Sequence, residues 1–272
     1  MTREVQQFGK LDVSVEGCDA YLEKLRKDCK DLMFKLHKLV AVNDELLLRI
    51  SGIKCKSNSN CKVNGASAKI FCCNTPAYAC PLFKTHKLSP ENSLNVDIKD
   101  IPVRLLQSAG NISTSRITAF LELILKPIST DFCKNCPDEL CQDSRQYIGD
   151  LLNWKERLTK TEETGKQKQV FYIVAADVKA LYPSLCRDTV TKALECALEK
   201  HSNFNTNAQK IIAKLNEIYL NNVVTQYGDQ LYTQKNGVVT GDNNSVSLAN
   251  IAVHYILQPI AGVLREAALF RG

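Results

Sequence analysis

Asp177 stands at the end of an uncharged run of seven, Val170-Phe171-Tyr172-Ile173-Val174-Ala175-Ala176. The β-branched and aromatic content of that run reads as a strand buried on both faces. A carboxylate at such a point is costly unless something offsets it, and a divalent cation is the commonest functional offset. The local alternative is that Asp177 caps the following turn through its own side chain. Five residues on, Tyr182 precedes Pro183, so the chain leaves the strand by a tight turn that brings the aromatic ring back toward the same mouth. Upstream, Lys84, Lys87 and Arg104 lie in two Pro-punctuated stretches, CPLFKTHK and IPVRLLQSAG. Downstream, Gly237 and Gly241 frame the loop NGVVTGDNNS that opens the last helix. A carboxylate for metal, cations for phosphates and glycines where backbone must approach a ligand are the parts that phosphoryl or nucleotidyl transfer needs. Their spacing does not fit GxxxxGK[ST], so a P-loop ATPase is set aside.

The elements that must carry these residues follow from periodicity. Leu22, Leu25, Cys29, Leu32, Leu36, Leu39, Asn43, Leu46 and Ile50 recur at alternating steps of three and four, a heptad seam with one polar position at Asn43. Met33, Val40, Val42 and Leu47 widen the stripe, which favours docking on the rest of the chain over self-association through this helix. Gly52 ends it. A second helix is expected through Ile117, Phe120, Leu121, Ile124 and Leu125, entered from Ser113-Thr114-Ser115 and stopped near Pro127. Residues 159–169 read as a polar connector. Helices are expected over 187–201 and 206–221, then a β-hairpin of VVTQY and QLYTQ around Gly228-Asp229. From Asn243 to Leu264 no residue is charged, but Ser245, Ser247, Asn250, His254, Gln258 and Pro259 within it point to a core helix and not a membrane span. The order is α+β, with boundaries at 1–52 for the heptad-bearing helix, 53–160 for a basic Cys-containing region and 161–272 for the strand, hairpin and last helices.

The chain has 272 residues, 44% hydrophobic and 24% charged, which excludes bulk disorder and purely fibrous classes. Its net charge of +6 is concentrated: from Leu46 to Pro90 there is no carboxylate, while Arg49, Lys54, Lys56, Lys62, Lys69, Lys84 and Lys87 accumulate. Such a stretch suits a polyanion, or else it is a solvated surface balanced by acids from elsewhere in the fold. The polar start MTREVQQFGK has no apolar signal segment, so an intracellular location, nuclear or cytoplasmic, is expected. In a reducing compartment the 12 Cys are not a disulfide framework. Structural Zn²⁺ at Cys133, Cys136 and Cys141, or at Cys55, Cys61, Cys72, Cys73 and Cys80, competes with plain burial, and neither group has paired Cys-x2-Cys halves. His37, His86, His201 and His254 have no partner evident in sequence, and only His86 falls inside the KTHK element.

At these same residues a family resemblance emerges. CPLFKTHK resembles the LPKxHK element of Penelope-like retroelement reverse transcriptases, and IPVRLLQSAG resembles their PxRPIVS element. VAADVKALYPSL resembles their palm motif with its first metal-binding Asp. YGDQLYTQKNGVVTGDNNSVSLANI is similar to the hairpin and glycine motif that follow, usually GxxMGSPLSPxxANL. The likeness spans residues 78–258, and the order of the four motifs makes it specific.

The resemblance implies a fragment of the polymerase right hand, fingers and palm, that uses an RNA template, a DNA primer and dNTPs. Asp177 and the Val178 carbonyl would bind catalytic Mg²⁺, and Tyr182 would sit under the sugar and disfavour a 2′-hydroxyl. Lys84, Lys87 and Arg104 would belong to the fingers and meet the triphosphate or template, with Gly241 near the nucleotide and template base. Two metal ions bridged by carboxylates would activate the primer 3′-hydroxyl and stabilise the leaving pyrophosphate. The chain also departs from the family. Thr240-Gly241-Asp242-Asn243 replaces Met-Gly-Ser-Pro, which makes Asp242 either a substitute ligand or a helix cap, and Leu105 replaces the Pro after the arginine. The Asp-Asp hairpin, the thumb and the GIY-YIG endonuclease do not follow before Leu269-Phe270-Arg271-Gly272. The expectation is therefore fingers with an incomplete palm, inactive as this chain. The alternatives are a non-catalytic nucleic-acid binder using the Lys/Cys region and a coiled-coil assembly protein.

Overall fold

The computed structural model describes residues 8–12, 18–37, 76–84, 97, 101, 103–107, 114–135, 144–163, 178 and 180–260. In chain order these form β1 (Phe8–Lys10), α1 (Cys18–His37), β2 (Ala77–Phe83), β3 (Val103–Gln107), α2 (Ser115–Asn135), α3 (Ser144–Glu163), a short α4 (Leu181–Ser184), α5 (Arg187–His201), α6 (Thr206–Asn221), β4 (Val224–Tyr227), β5 (Gln230–Gln234) and α7 (Ser245–Leu257), which runs into a 3₁₀ turn. Among the described residues the fold is mixed, with helices outweighing a five-stranded sheet of order β1-β5-β4-β2-β3. All neighbours in the sheet are antiparallel except β2 and β4, which pair in parallel with Ala77 opposite Thr225.

Helix α1 docks within the chain. Leu25, Cys29 and Leu36 enter the main core, while Cys18 and Leu22 cover the sheet at Val224 and Leu231. Each fully buried Leu of this kind contributes about 2 kcal/mol of hydrophobic stabilisation. Asn43 and the seam positions beyond Leu36 lie outside the described residues. The main core joins α1, α2, α5, α6 and α7, with Phe120, Leu194, Leu198, Ile212, Leu215 and Leu248 among its most buried members.

The expected helices over 187–201 and 206–221 are observed at those bounds, and so is the hairpin, which turns at Gly228 with φ 58°. Asn205 begins α6 and its side chain accepts the Ala208 N–H at 2.9 Å. Asn205→Ala is expected to cost about 1 kcal/mol of stability, read as a lower urea midpoint. The described part of the uncharged C-terminal segment forms a buried helix, α7, with Leu248, Ala249, Ile251 and Ala252 in the core. Among the described residues no helix is long and apolar enough to cross a membrane.

Three expectations are corrected. Helix α2 does not stop near Pro127 but continues to Asn135. Proline removes one backbone donor, yet Ile124, Leu125 and Ile128 on both sides of it are buried, and that packing carries the helix through. The connector expected over 159–169 is helical as far as Glu163, where Thr159 donates its hydroxyl to the Lys155 carbonyl at 3.1 Å. His201, which lacked a partner in sequence, pairs Nδ1 with Asp131 Oδ2 at 3.1 Å. The run 170–176 lies outside the described residues.

Candidate functional site

The loop between β5 and α7 is where separate motifs meet. Gly237 has φ 79°, and a Cβ built there would lie 2.5 Å from the Tyr182 carbonyl oxygen and 2.7 Å from Pro183 Cα. Only glycine permits that approach. The next residue, Val238, donates its N–H to the same Tyr182 oxygen at 2.9 Å. Four residues after Gly237, Gly241 has φ 111°, and its Cβ would be 2.9 Å from the Gln107 carbonyl oxygen. Gln107 in turn donates its N–H to Thr240 O at 3.3 Å. One loop thus lies against both the Tyr182 turn and the end of β3, the strand that carries position 104. Val238 and Val239 sink into the main core and fix its middle.

The Tyr182 turn is itself constrained. Ala180 has φ 54°, a left-handed conformation unusual for a residue with a side chain. Ser184 donates its hydroxyl to the Ala180 carbonyl at 2.8 Å, closing the short helix α4. Tyr182 is half-buried against the core, while Val178 is exposed. Asp177 lies outside the described residues.

On the β2–β3 ribbon, Leu82 faces Arg104 and Phe83 faces Val103. Lys84 follows β2 directly. At about 3.3 Å per residue, Lys84 sits roughly 17 Å along the ribbon from the Gln107 end, and position 104 roughly 10 Å from it. The fold therefore sets one end of the glycine loop, at Gly237, on the Tyr182 turn and the other, at Gly241, on β3, the strand of Arg104, with Lys84 at the ribbon's far end. Lys87 lies outside the described residues.

Asp242 does not cap a helix with its side chain, and its Oδ1 is buried without a hydrogen-bond partner among the described residues. It is 6% exposed, and its Oδ2 accepts the Tyr219 hydroxyl at 2.6 Å. Burial pushes its carboxyl up to about 6, against the lowering effect of the Tyr219 bond. Tyr219, wholly buried, is held well above its usual value by burial and by the neighbouring Asp242. Asn244 is the residue that starts α7, and it makes no side-chain cap bond. Behind the loop, Arg187 donates to Gln234 O and, at 3.3 Å, to Asn221 Oδ1. Burial lowers the Arg187 pKa. Gln234 spans the loop's start, donating from Nε2 to Asn236 O at 2.7 Å. Ser245 donates its hydroxyl to Val239 O, and Asn243 Nδ2 reaches Thr118 Oγ1 at 3.2 Å.

Sequence reasoning missed Gln107, Arg187, Tyr219 and Gln234. Tyr219 left only a periodic trace, as the last of Ile212, Leu215, Asn216 and Tyr219 on the buried face of α6.

Of the candidate zinc thiols, only Cys80 is fully described, and it is exposed on β2. Cys133 falls in α2, and the others lie outside the described residues. Among the described residues no group of three or more His, Cys, Asp or Glu could hold a metal ion. The described thiols differ in reactivity. Burial raises Cys29 to about 12, whereas the backbone N–H groups of Thr189 and Asp188 lower the exposed Cys186. Iodoacetamide at neutral pH is expected to label Cys186 first and to spare Cys29 in the native protein. Peptide mapping with Cys29 modified as early as Cys186 would contradict that order.

No protein-family model and no curated protein matches the sequence. Over 71% of its length the chain is similar to the structure of apo telomerase from Candida Tropicalis truncated from its C-terminal domain, at 10% identity and a TM-score of 0.48. It spans 40% of that chain. A likeness of that size does not assign a fold.

Proposed function

We propose that this chain is a reverse-transcriptase-like domain of Penelope-like type, by lineage an RNA-directed DNA polymerase. A polymerase of that type would add dNTPs to a primer 3′-end on an RNA template. The reading is supported by the order of the four motifs and, above all, by one structural observation. The glycine loop makes backbone contact with both the Tyr182 turn and the end of the strand bearing Arg104. Backbone from three separate motifs, at Gln107, Tyr182 and Gly237 to Gly241, meets along this loop.

In this reading Tyr182 lies beneath the sugar, Gly241 leaves room for the nucleotide and template base, and Arg104, Lys84 and Lys87 line the approach of phosphates. Mg²⁺ would be held by Asp177 and the Val178 carbonyl, and when bound it would activate the primer hydroxyl and stabilise pyrophosphate. Asp242 is buried with its Oδ2 on the Tyr219 hydroxyl, so this reading does not count it as a ligand.

The test is primer extension by this chain joined to an Asp-Asp hairpin and a thumb, beside the same fusion carrying Asp177→Ala. Extension is expected from the first and not the second. Extension that survives Asp177→Ala removes Asp177 from the metal-binding role, and a fusion that neither binds nor extends a primer–template refutes the polymerase reading.

The withdrawal of Asp242 also favours a second reading, a nucleic-acid binder without catalysis. Its mark would be a steep loss of RNA affinity with salt that flattens when Lys54, Lys56, Lys62 and Lys69 are changed to Gln, with Asp177→Ala having no effect.

A further inference from the structure

Gly241 has no side chain with which to hold its own position, yet its backbone must stop within van der Waals range of the Gln107 carbonyl. Asp242 is the first side chain after it, and that side chain goes inward to a tyrosine on α6. A buried carboxylate is an expensive anchor. An apolar residue would fill the same space at lower cost but could not accept a hydrogen bond from Tyr219, whose hydroxyl is fully enclosed and requires a partner. The other end of the same loop is tied to α5, where Arg187 donates to Gln234 O. Between these anchors lie the contacts to Tyr182 and Gln107.

We infer that Asp242 is a positioning residue. Its hydrogen bond from Tyr219 sets the height of the Gly241 turn against β3 and thereby shapes the surface offered to a nucleotide or template base. This inference rests on the proposed place of Gly241 beside the nucleotide. Asp242 acts through the backbone of Thr240 and Gly241 and does not touch the ligand. Tyr219 and Asp242 form a unit in which either partner without the other leaves the turn loose.

The test reads the turn and the ligand separately, using the full chain. Hydrogen exchange follows the Gln107 amide, which bonds Thr240 O, and the Val238 amide, which bonds Tyr182 O. Tyr219→Phe removes one hydroxyl from the core and is expected to speed exchange at Gln107 about tenfold. Asp242→Ala is expected to do the same, whereas Asp242→Asn, which keeps an acceptor for the tyrosine, should retain protection within about twofold. Ile128→Val, a core change on α2 away from the loop, serves as a control for general loss of stability and should leave Gln107 exchange unchanged. In parallel, affinity for an RNA/DNA primer–template hybrid is expected to fall in Tyr219→Phe and Asp242→Ala and to be recovered in Asp242→Asn. Equal exchange in Asp242→Asn and Asp242→Ala, or unaltered exchange in Tyr219→Phe, overturns the positioning role. A wild-type chain that binds no hybrid overturns the functional reading on which it rests, while the exchange pattern still decides whether the pair holds the turn.

Discussion

Gly237→Ala is expected to lower the free energy of unfolding by about 3 kcal/mol, one of the largest effects available to the addition of a single methyl group in this chain. Two costs combine. The left-handed conformation at φ 79° penalises a side chain by about 1 kcal/mol. The new Cβ would also meet the Tyr182 oxygen at 2.5 Å and Pro183 Cα at 2.7 Å, both backbone atoms that cannot rotate away. The loop must retreat, and with it goes the Val238 to Tyr182 hydrogen bond, a buried bond whose loss costs about 1–3 kcal/mol. Gly228 supplies the control. It shares a positive φ of 58°, but a Cβ there meets nothing within 4 Å. Gly228→Ala should therefore lose only the conformational share, about 1 kcal/mol. Urea unfolding of both variants is the measurement, and equal losses at the two sites would show that the close approach at Tyr182 is absent in solution.

The second large effect is a pH dependence with a defined sign. The Asp242 carboxyl is raised from 3.8 to about 6 in the folded chain by burial. A raised folded-state value means that the folded chain holds this proton more tightly than the unfolded chain. The resulting stabilisation is complete below about 3.8 and is lost as pH climbs through about 6. At pH 7.5 the ionised carboxylate then costs on the order of 3 kcal/mol relative to its protonated form. The groups around it do not reverse the sign: Tyr219 stays neutral across this range, and Arg187 acts on the tyrosine behind it. Asp242→Asn cannot ionise. The stability of Asp242→Asn minus that of wild type should rise from pH 4 to pH 7.5 by on the order of 3 kcal/mol and then level off. Whatever the amide itself costs is constant with pH, so the slope is the test. A flat difference, or one that falls with pH, would place Asp242 in water.

Much of the helical core was legible because its signal is local. The buried positions of α5, α6 and α7 repeat at helical spacing, and the two strands of the hairpin flank a Gly-Asp pair, so each element's own residues suffice to reveal it. The widened stripe of α1 was likewise enough to expect docking, which the burial of Leu25, Cys29 and Leu36 shows for its described part. Pro127 misled for the opposite reason: its local preference was outweighed by packing with residues far away in the chain. Strand β3 was missed because VRLLQ is short and gains its strand character from pairing with β2.

For the candidate site the division is similar. Residue types and motif order in the sequence named Tyr182, Gly241, Arg104 and Lys84 as one set and marked Asp242 as out of place. Only the tertiary structure decided that the glycine loop touches the Tyr182 turn and β3, that Lys84 stands far along the ribbon, and that Asp242 turns away to Tyr219. The physical reason is that a propensity belongs to a residue and its near neighbours, whereas a hydrogen-bond partner is chosen by sheet register and helix packing. In this chain those bring Gln107 to Thr240 and Arg187 to Gln234 across long stretches of sequence.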